Sequence, residues 1–460
     1  MTLASPTCGR LGWADGRSGS DEAFAGREAP TAAAGLELWG GVECSVVRIG
    51  DEWRDQLRET GHDRRAGDLE LVAELGLATM RYPVLWERVA PDAPNACDWG
   101  WSDFRLGRLR ALGMRPIVGL VHHGAGPRYT DLLDPAFPDL LADYALRVAA
   151  RYPWVEAFTP VNEPLTTARF SGLYGHWHPH RRDYPSFLSA LVNQCLATAR
   201  AMRAIRSVNP AARLVQTEDL GKTFSTRRLA YQAEHENMRR WLSLDLLCGR
   251  VDRDHPWRGM LTANAVGERA LDELVETPCS PDVMGFNHYL TSERYLDERR
   301  ERYSPATWGG NGRDRYADVE ANRIEGLGDL GPLARLREAW ARYRIPLAIT
   351  EAHNGSVWDE QLRWLIEMWR AASTGRCEGI DVRAVTAWAL FGGVDWDSLL
   401  TCRRGRYEVG AFDAKDEPPS RTALADAIAA LAAGREYEHP ALETPGWWRR
   451  PDRFFATAAA

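Results

Sequence analysis

The sequence predicts an α/β protein, a single (β/α)8 TIM barrel with loop insertions on its C-terminal face. Eight short apolar stretches recur along the 460 residues, and segments with helical periodicity separate them. Each stretch is continuously apolar rather than alternating, which is typical of parallel strands buried on both faces. Eight strand–helix units of this kind close most economically into a barrel. The predicted strands are residues 36–43, 78–86, 115–123, 155–163, 212–219, 281–289, 345–351 and 382–390.

Three of the intervening segments carry the clearest helical pattern. Residues 63–76 place apolar side chains on one face, and residues 359–373 form another amphipathic segment. Residues 184–210 carry the longest pattern, with Ser186 as the expected N-cap and Pro210 as the stop. These helices alternate with the strands, as a barrel requires.

Length alone would allow two or three domains, but the alternation favours one barrel over residues 35–434. We expect residues 1–34, which are rich in Gly, Ala, Ser and charged residues, to be a disordered leader. Residues 220–280 and 298–332 are expected to be insertions that decorate the C-terminal face. Residues 435–460, which include GWWRRP, are expected to form a tail that packs on the barrel.

The charge balance indicates which partners the protein lacks. The net charge of −7 provides no footprint for nucleic acid or for an anionic membrane. The leader lacks the continuous apolar run of a signal peptide, and no later stretch reaches membrane-spanning length. We therefore expect a cytoplasmic protein, and the sequence gives no indication of its oligomeric state.

Neither the cysteines nor the histidines favour a metal site. The eight cysteines lie far apart without a C-x-x-C pair, which suits reduced core thiols better than zinc or a disulfide framework. His176, His178 and His180 have a spacing compatible with zinc, but Pro179 interrupts the loop and no carboxylate partner is obvious. We therefore predict no metal.

Ionisable and aromatic residues concentrate at the predicted C-terminal ends of the strands, which form the floor of a barrel's active site. No nucleotide-binding loop of standard spacing accompanies them, so we predict no cofactor. Two carboxylates beside tryptophans suit acetal chemistry, in which one acid protonates the departing oxygen and the other attacks or supports an oxocarbenium ion. The strand-end residues are Glu43, Arg81, Trp86, His122, His123, Asn162, Glu163, Asp219, Asn287, Tyr289, Glu351 and Trp388.

Motifs at these strand ends carry a resemblance to family 1 glycoside hydrolases. The stretch TPVNEP (159–164) resembles their acid/base motif T-F/L-N-E-P. The stretch ITEAHNG (349–355) resembles their nucleophile motif I/V-T-E-N-G, with two residues inserted after the glutamate. Further stretches match in the family's order, so that the resemblance spans about residues 36–432: LWGGVECSVVRIGD, MRYPVLWERVAP, PIVGLVHH, VMGFNHY, AWALFGGVDW and RYEVGAFD.

The resemblance implies a retaining β-glycosidase that acts on a small-molecule glycoside or oligosaccharide. Glu163 would be the general acid/base, and Glu351 would be the nucleophile. Arg81 and the Tyr289 hydroxyl match residues that contact the family's nucleophile, so they should keep Glu351 ionised. Glu163, with less positive charge nearby, should hold its proton until the leaving group needs it.

Other matched positions imply contacts with the sugar. Asn162 would hydrogen-bond to the 2-hydroxyl and His122 to the 3-hydroxyl, while Trp388 would form a platform under the ring. The predicted substrate-binding residues are Glu43, Arg81, His122, Asn162, Asn287, Tyr289, Trp388, Asp395 and Trp396.

Departures from the family's pattern predict a modified glycone pocket. Where the family's first strand offers a glutamine to the sugar, this chain reads SVVRIG. Either Arg48 or Glu43 must make this contact with the sugar, or the contact is missing. Asp395, one methylene shorter, stands for the glutamate that holds the 4- and 6-hydroxyls. His123 replaces a tryptophan.

Three alternatives to simple hydrolysis remain open. Ser398 with Arg403 or Arg404 could hold a 6-phosphate, as in phosphoglycosidases of the family, although Asp395 would oppose a dianion. The same site could favour transglycosylation. A sugar-binding pseudo-enzyme is the third alternative, but such a protein would have no need to keep both glutamates.

Overall fold

The computed structural model describes residues 35–264 and 266–455. The predicted leader and the last five residues of the predicted tail therefore lie outside the described residues. The barrel strands are Glu37–Gly41 (β1), Thr79–Pro83 (β2), Arg115–His122 (β3), Ala157–Asn162 (β4), Arg213–Asp219 (β5), Val283–Asn287 (β6), Leu347–Ala352 (β7) and Val382–Ala387 (β8).

These eight strands form a closed parallel barrel in which each strand pairs with its sequence neighbours and β1 pairs with β8. The prediction of a (β/α)8 barrel is confirmed, and each predicted strand coincides with an observed one. The register brings the strand ends together: His122 pairs with Asn162, and Asp219 and Glu351 both pair with Asn287. The polar residues predicted for the barrel floor therefore meet at one end.

Burial on both faces explains the continuous apolar pattern of the strands. Every residue of β4 and of β7 is buried. The main core lies between the strands and the surrounding helices. A second cluster takes one side chain from each of six strands, namely Trp39, Ile117, Ala157, Val215, Ala348 and Ala384.

Helices follow the barrel strands and surround them. Within the described part of the chain, none of them has both the length and the apolar character that crossing a bilayer requires. The α-helices are Gln56–Glu59 (α1), Asp68–Ala73 (α2), Trp86–Val89 (α3), Gly100–Ala111 (α4), Phe137–Arg151 (α5), Pro164–Ala168 (α6), Tyr184–Val208 (α7), Ala230–Arg239 (α8), Leu242–Leu247 (α9), Arg258–Ala263 (α10), Glu268–Glu276 (α11), Pro332–Tyr343 (α12), Trp358–Cys377 (α13) and Ala423–Ala432 (α14).

Helix α7 begins earlier than its predicted N-cap. Asp183 has an extended backbone, and its side chain accepts a hydrogen bond from the Ser186 backbone N–H over 2.7 Å. Pro185 lies in the first turn, where its fixed φ fits and its missing N–H costs nothing. The prediction of Ser186 as the N-cap is therefore wrong. The helix ends at Val208, just before Pro210.

The predicted insertions contribute elements beyond the barrel. The segment 220–280 contains α8 to α11, and together with residues 293–320 it forms a four-stranded sheet. The strands of this sheet are Lys222–Ser225, Glu293–Asp297, Trp308–Gly310 and Arg315–Glu320.

Shorter antiparallel pairs lie elsewhere in the chain. They join Val46–Ile49 to Glu52–Asp55, Gly393–Val394 to Tyr407–Glu408, and Phe412–Asp413 to Ser420–Arg421.

The segment after α14 lies against α13. The Trp448 side chain is 2% exposed, and its Nε1 donates a hydrogen bond to Glu367 Oε2 over 2.6 Å. Arg450 Nη2 donates to Glu360 Oε1 over 2.6 Å. Two tail side chains are thus paired with carboxylates of one helix.

Replacement of Asp183 by alanine should destabilise the protein by about 1 kcal/mol, since an N-cap acceptor is lost. The Ser186→Ala variant is the matched control and should change stability less, because it keeps the backbone N–H that the cap binds and loses only the exposed hydrogen bond from Ser186 Oγ to Asp183 Oδ2. The midpoint of urea unfolding measures both. Equal midpoints for the two variants would contradict the assignment of Asp183 as the cap.

Candidate active site

A cavity of about 470 Å³ opens at the C-terminal ends of the barrel strands. Arg81, His122 and Asn162 lie around a small void that Trp388 also borders, and Trp388 lines the main cavity as well. The structure thus brings most of the predicted site residues together. Those that line the main cavity are Glu43, Glu163, Tyr289, Glu351, Trp388 and Trp396.

Glu163 follows β4 directly and has a left-handed backbone with φ of 47°. This conformation is uncommon for a residue other than glycine, and here the Glu163 N–H is held by the Thr217 carbonyl over 3.1 Å. The side chain is 4% exposed, and Asn287 Nδ2 donates to its Oε1 over 2.6 Å. Burial, followed by the negative charge of Glu351, raises the pKa of Glu163 well above its ordinary value.

Glu351 lies in β7 and is 2% exposed. Arg81 Nη1 donates to its Oε1 over 2.8 Å, and the Tyr289 hydroxyl donates a short hydrogen bond to its Oε2. Burial raises the pKa of Glu351, whereas the Arg81 charge and the Tyr289 hydrogen bond lower it. Glu351 therefore has a cation and a hydroxyl donor to support its ionised form, while Glu163 is held by a neutral amide.

Arg81 connects the parts of the site. Its Nη1 also donates to the Thr350 carbonyl over 2.7 Å, and its Nη2 donates to Asn162 Oδ1 over 2.7 Å. The guanidinium carbon lies 4.6 Å from the centre of the Trp388 ring. One buried cation therefore contacts the predicted nucleophile, an amide and the predicted sugar platform.

Threonine hydroxyls fix the orientation of the two amides. Thr217 Oγ1 donates to Asn162 Oδ1 over 2.6 Å, and Thr350 Oγ1 donates to Asn287 Oδ1 over 2.7 Å. Because each amide oxygen is occupied, each NH2 group is left to act as the donor. The NH2 group of Asn287 reaches Glu163 in this way.

Two adjacent histidines belong to the floor: His123 lines the main cavity, and His122 borders the small void. The His122 ring stacks on Trp388 with centroids 5.4 Å apart and planes 8° apart, and its Nε2 lies 3.3 Å from Asn162 Nδ2. His123 Nδ1 lies 3.1 Å from Thr167 Oγ1. Burial lowers the pKa of His122 well below its ordinary value and lowers that of His123 to about 3. Both rings are therefore neutral at physiological pH.

Glu43, one of the two residues considered in place of the family's glutamine, lines the cavity. Its Oε1 accepts hydrogen bonds from Ser45 N over 2.9 Å and Ser45 Oγ over 2.7 Å, and its Oε2 accepts from Trp388 Nε1 over 3.2 Å. Burial raises the pKa of Glu43. Arg48, the other candidate, donates instead to the Gly50 carbonyl over 3.0 Å.

Asp395, predicted to bind the sugar, does not line the cavity, and its carboxylate is held by groups of the protein. Its Oδ2 accepts from Arg54 Nη2 over 2.9 Å and from Arg404 N over 3.0 Å, and its Oδ1 accepts from Arg406 N over 2.8 Å. Burial alone would raise the pKa of Asp395, but the backbone hydrogen bonds from Arg406 and Arg404 outweigh it and lower this pKa below its ordinary value. The carboxylate, 1% exposed, thus closes the 395–406 turn, and it is the neighbouring Trp396 and Asp397 that line the cavity.

Two hydrogen-bond donors in the cavity wall are unoccupied. Trp396 Nε1, predicted from the sequence, and Asn354 Nδ2, which was not predicted, are buried and have no hydrogen-bond partner among the described residues. Asn354 belongs to the stretch ITEAHNG, in which two residues are inserted after Glu351. The two-residue insertion was therefore the feature of the sequence that could have indicated an altered cavity wall.

Sequence reasoning also missed two carboxylates. Glu218 Oε2 accepts from Leu165 N over 2.8 Å, and thus holds the first turn of α6 directly behind Glu163. Glu408 Oε2 lies 3.0 Å from His353 Nε2 in the cavity wall. Burial alone would lower the pKa of His353, but the hydrogen bond with Glu408 outweighs it and raises this pKa above its ordinary value. Both contacts join residues that are far apart in the chain, so no local sequence pattern predicts them.

The residues considered for a 6-phosphate have other partners. Ser398 Oγ donates to the Asp395 carbonyl over 3.0 Å. Arg403 Nε lies 3.2 Å from Glu52 Oε2, and Arg404 Nη1 lies 3.2 Å from Asp397 Oδ2. These groups stabilise the surface turn.

Comparisons with known proteins agree on one family. The model of glycosyl hydrolase family 1 matches residues 54–422. Beta-glucosidase 47 of Arabidopsis thaliana is 23% identical over 418 residues, covering 82% of this chain and 76% of the relative. A 6-phospho-beta-glucosidase of Dickeya chrysanthemi is 24% identical over 362 residues, covering 71% of this chain and 75% of the relative. Thermotoga maritima beta-glucosidase in complex with deoxynojirimycin superposes with a TM-score of 0.70 at 18% identity, covering 87% of this chain and 98% of that chain.

The family match covers most of the chain, and the barrel and the order of the motifs agree with it. This chain belongs to glycosyl hydrolase family 1. It is a divergent glycoside hydrolase of the beta-glucosidase type, a class that among its relatives includes enzymes named for 6-phosphorylated substrates.

The Glu163→Gln variant should be more stable than the parent at pH 7.5, with a Tm higher by about 1–3 °C. The folded-state pKa of Glu163 lies above its unfolded value, so ionisation above the unfolded pKa penalises the folded state. Glutamine keeps the acceptor for Asn287 without that penalty. The gain should fade as the pH approaches 4, where both states hold the proton. Thermal melts over this pH range measure the gain, and a gain that is independent of pH would contradict the prediction.

Proposed function

We propose that this protein is a retaining β-glycosidase that removes a terminal β-linked sugar by double displacement, with a modified glycone pocket. The single observation that carries the proposal is the pair of buried carboxyls that share one cavity in opposite settings. Glu351 faces Arg81 and the Tyr289 hydroxyl, whereas Glu163 faces the Asn287 amide. Environments that separate two carboxyl pKa values are what an acid and a nucleophile require.

In the first step, the ionised Glu351 attacks the anomeric carbon while Glu163 transfers its proton to the glycosidic oxygen. The bond between that carbon and that oxygen breaks, and the leaving group departs as a neutral alcohol. In the second step, the Glu163 carboxylate takes a proton from water, the water oxygen bonds to the anomeric carbon, and Glu351 leaves. Two inversions at one carbon restore the β configuration.

The neighbouring side chains have matching roles in this proposal. Arg81 and Thr217 donate to the Asn162 oxygen, which leaves its NH2 group as the donor toward the 2-hydroxyl. In the absence of a sugar, this group lies 3.3 Å from His122 Nε2 and 3.4 Å from His123 Nε2, so the 2-hydroxyl would replace one of these contacts. Trp396 Nε1 and Asn354 Nδ2 have no hydrogen-bond partner among the described residues, and a small side-chain rotation on sugar binding would let them donate to other sugar oxygens. We propose that Glu43 and these donors recognise the sugar.

Two observations separate this proposal from its alternatives. The arginines considered for a 6-phosphate are paired with Glu52 and Asp397, which favours an unphosphorylated sugar. A binding protein has no use for two buried carboxyls in one cavity with such different partners, since that pair supports bond cleavage. Transglycosylation uses the same first step and differs only in which acceptor replaces water.

The Glu351→Ala variant should lose nearly all activity on aryl β-glycosides, by a factor on the order of 10⁴ or more, because the attacking carboxylate is gone. Azide should enter the vacated space and form the α-glycosyl azide. The Glu163→Ala variant should instead form the β-glycosyl azide, because the covalent intermediate still forms with a good leaving group. Product NMR distinguishes the two anomers.

The same anomer from both variants would contradict the assigned roles. A parent protein that binds sugars but cleaves none of the glucoside, galactoside, fucoside, mannoside and 6-phosphate derivatives would be a pseudo-enzyme.

The Tyr289→Phe variant should shift the acidic limb of the kcat/KM profile to higher pH. Activity requires ionised Glu351, and loss of a hydrogen bond to its carboxylate raises its pKa. We expect kcat/KM at the optimum to fall by roughly ten- to a hundred-fold, as for a hydrogen bond to a charged group. The alkaline limb, which reports deprotonation of Glu163, should move less. A shift of the alkaline limb alone would contradict this account.

A further inference from the structure

The family match ends at residue 422, yet the chain beyond it reaches the cavity through Trp447. We propose that Trp447 and Arg323 form a binding subsite for a planar aromatic leaving group. This inference rests on the proposed function, since it names the part of the substrate that the rim of the same cavity recognises. The inference is supported by the contacts that fix the positions of Trp447 and Arg323.

The C-terminal segment holds Trp447 firmly. The adjacent Trp448 is buried, and its Nε1 donates to Glu367 Oε2 over 2.6 Å. The Trp447 backbone N–H donates to Glu360 Oε2 over 3.1 Å, and Arg450 Nη2 donates to Glu360 Oε1 over 2.6 Å. These contacts anchor Trp447 and the residues that follow it to α13, so the indole occupies a preformed position. A preformed ring loses little conformational entropy when a ligand packs on it.

Arg323 completes the wall from a different part of the chain. Its guanidinium carbon lies 4.4 Å from the centre of the Trp447 ring, and its Nε lies 3.3 Å from Glu320 Oε2. Arg453 Nε donates to the Asn322 carbonyl over 2.9 Å, which ties the C-terminal segment to the turn that carries Arg323. A guanidinium stacked on an indole forms a flat surface suited to a second aromatic ring.

The origin of these residues places them at the rim of the cavity. Glu163 and Glu351 come from the strand ends that form the floor, whereas Trp447 and Arg323 come from segments added outside the barrel. An exo-acting glycosidase binds the terminal sugar on the floor, so the leaving group extends toward the rim. Phe170 and Leu290 also line the cavity and add apolar surface. An aromatic ring would pack on these apolar side chains and on the Trp447–Arg323 pair. A second sugar would instead use polar side chains of the same cavity such as Asp219 and Ser292, and the test below distinguishes the two.

The test compares the parent with Trp447→Ala and Trp447→Phe on phenyl, methyl and disaccharide β-glycosides of one sugar. For Trp447→Ala, kcat/KM on the phenyl glycoside should fall about ten-fold or more, as expected for a lost stacking partner. Values for the methyl glycoside should change less than two-fold, and Trp447→Phe should recover most of the phenyl value.

Trp308→Ala is the matched control. Trp308 is also partly exposed and has an arginine, Arg300, over its ring at 4.8 Å, but it is not among the residues that line the cavity. This variant should match the parent on all three substrates. Thermal melts verify that both alanine variants fold.

A binding measurement separates failure of this inference from failure of the proposed function. In the Glu351→Ala background, calorimetry with the intact phenyl glycoside should show about ten-fold weaker binding when Trp447 is also replaced by alanine. If the parent cleaves no glycoside, the proposed function fails, and this binding result still decides the subsite. Unchanged phenyl binding, or an equal loss with the methyl or disaccharide glycoside, would overturn the inference.

Discussion

The buried contact between Arg81 and Glu351 is the interaction on which the rest of the site depends. The cavity gathers several carboxyls, and burial raises the pKa of Glu43, Glu163 and Glu351 alike. Arg81 directs its charge to Glu351 and thereby selects which carboxyl is ionised most readily. The neighbouring histidines do not compete for this role, because burial keeps His122 and His123 neutral.

The same guanidinium also fixes geometry. It holds Asn162 by its amide oxygen and lies against the Trp388 ring, so that the amide donor and the ring platform are positioned together. A change at Arg81 would therefore disturb the ionisation of Glu351 and the shape of the floor at once. Local backbone structure supports this arrangement, since the left-handed turn at Glu163 is held by the Thr217 carbonyl and the following turn by Glu218.

The barrel and its central pair of glutamates could be predicted from the sequence, because both leave local signals. A buried parallel strand is continuously apolar, and Glu163 and Glu351 each follow such a run within a short motif. The contacts of Asp395 could not be predicted in this way. Its carboxylate is bound by Arg54 and by the backbone of the 404–406 turn, which only the folded chain brings to it.

The helix cap and the cavity rim were missed for related physical reasons. Ser186 and Asp183 are both good N-cap residues, and the fit of Pro185 in the first turn decided between them. Trp447 is one of two adjacent tryptophans, and only its neighbour is buried. Which of the two faces the cavity follows from the contacts of Glu360 and Glu367, which belong to a helix far away in the sequence. Sequence pattern predicted the floor of the site, whereas the rim depends on tertiary contacts.

Trapping the covalent intermediate would identify directly which carboxylate is the nucleophile. The protein is incubated with an activated 2-deoxy-2-fluoro β-glycoside, in which the electronegative fluorine slows hydrolysis of the intermediate, and its peptides are analysed by mass spectrometry. We expect one added fluoroglycosyl group, located on Glu351 of the peptide that contains ITEAHNG. Labelling of Glu163 or Glu43 instead, or turnover with an inverted anomer and no adduct, would contradict this expectation.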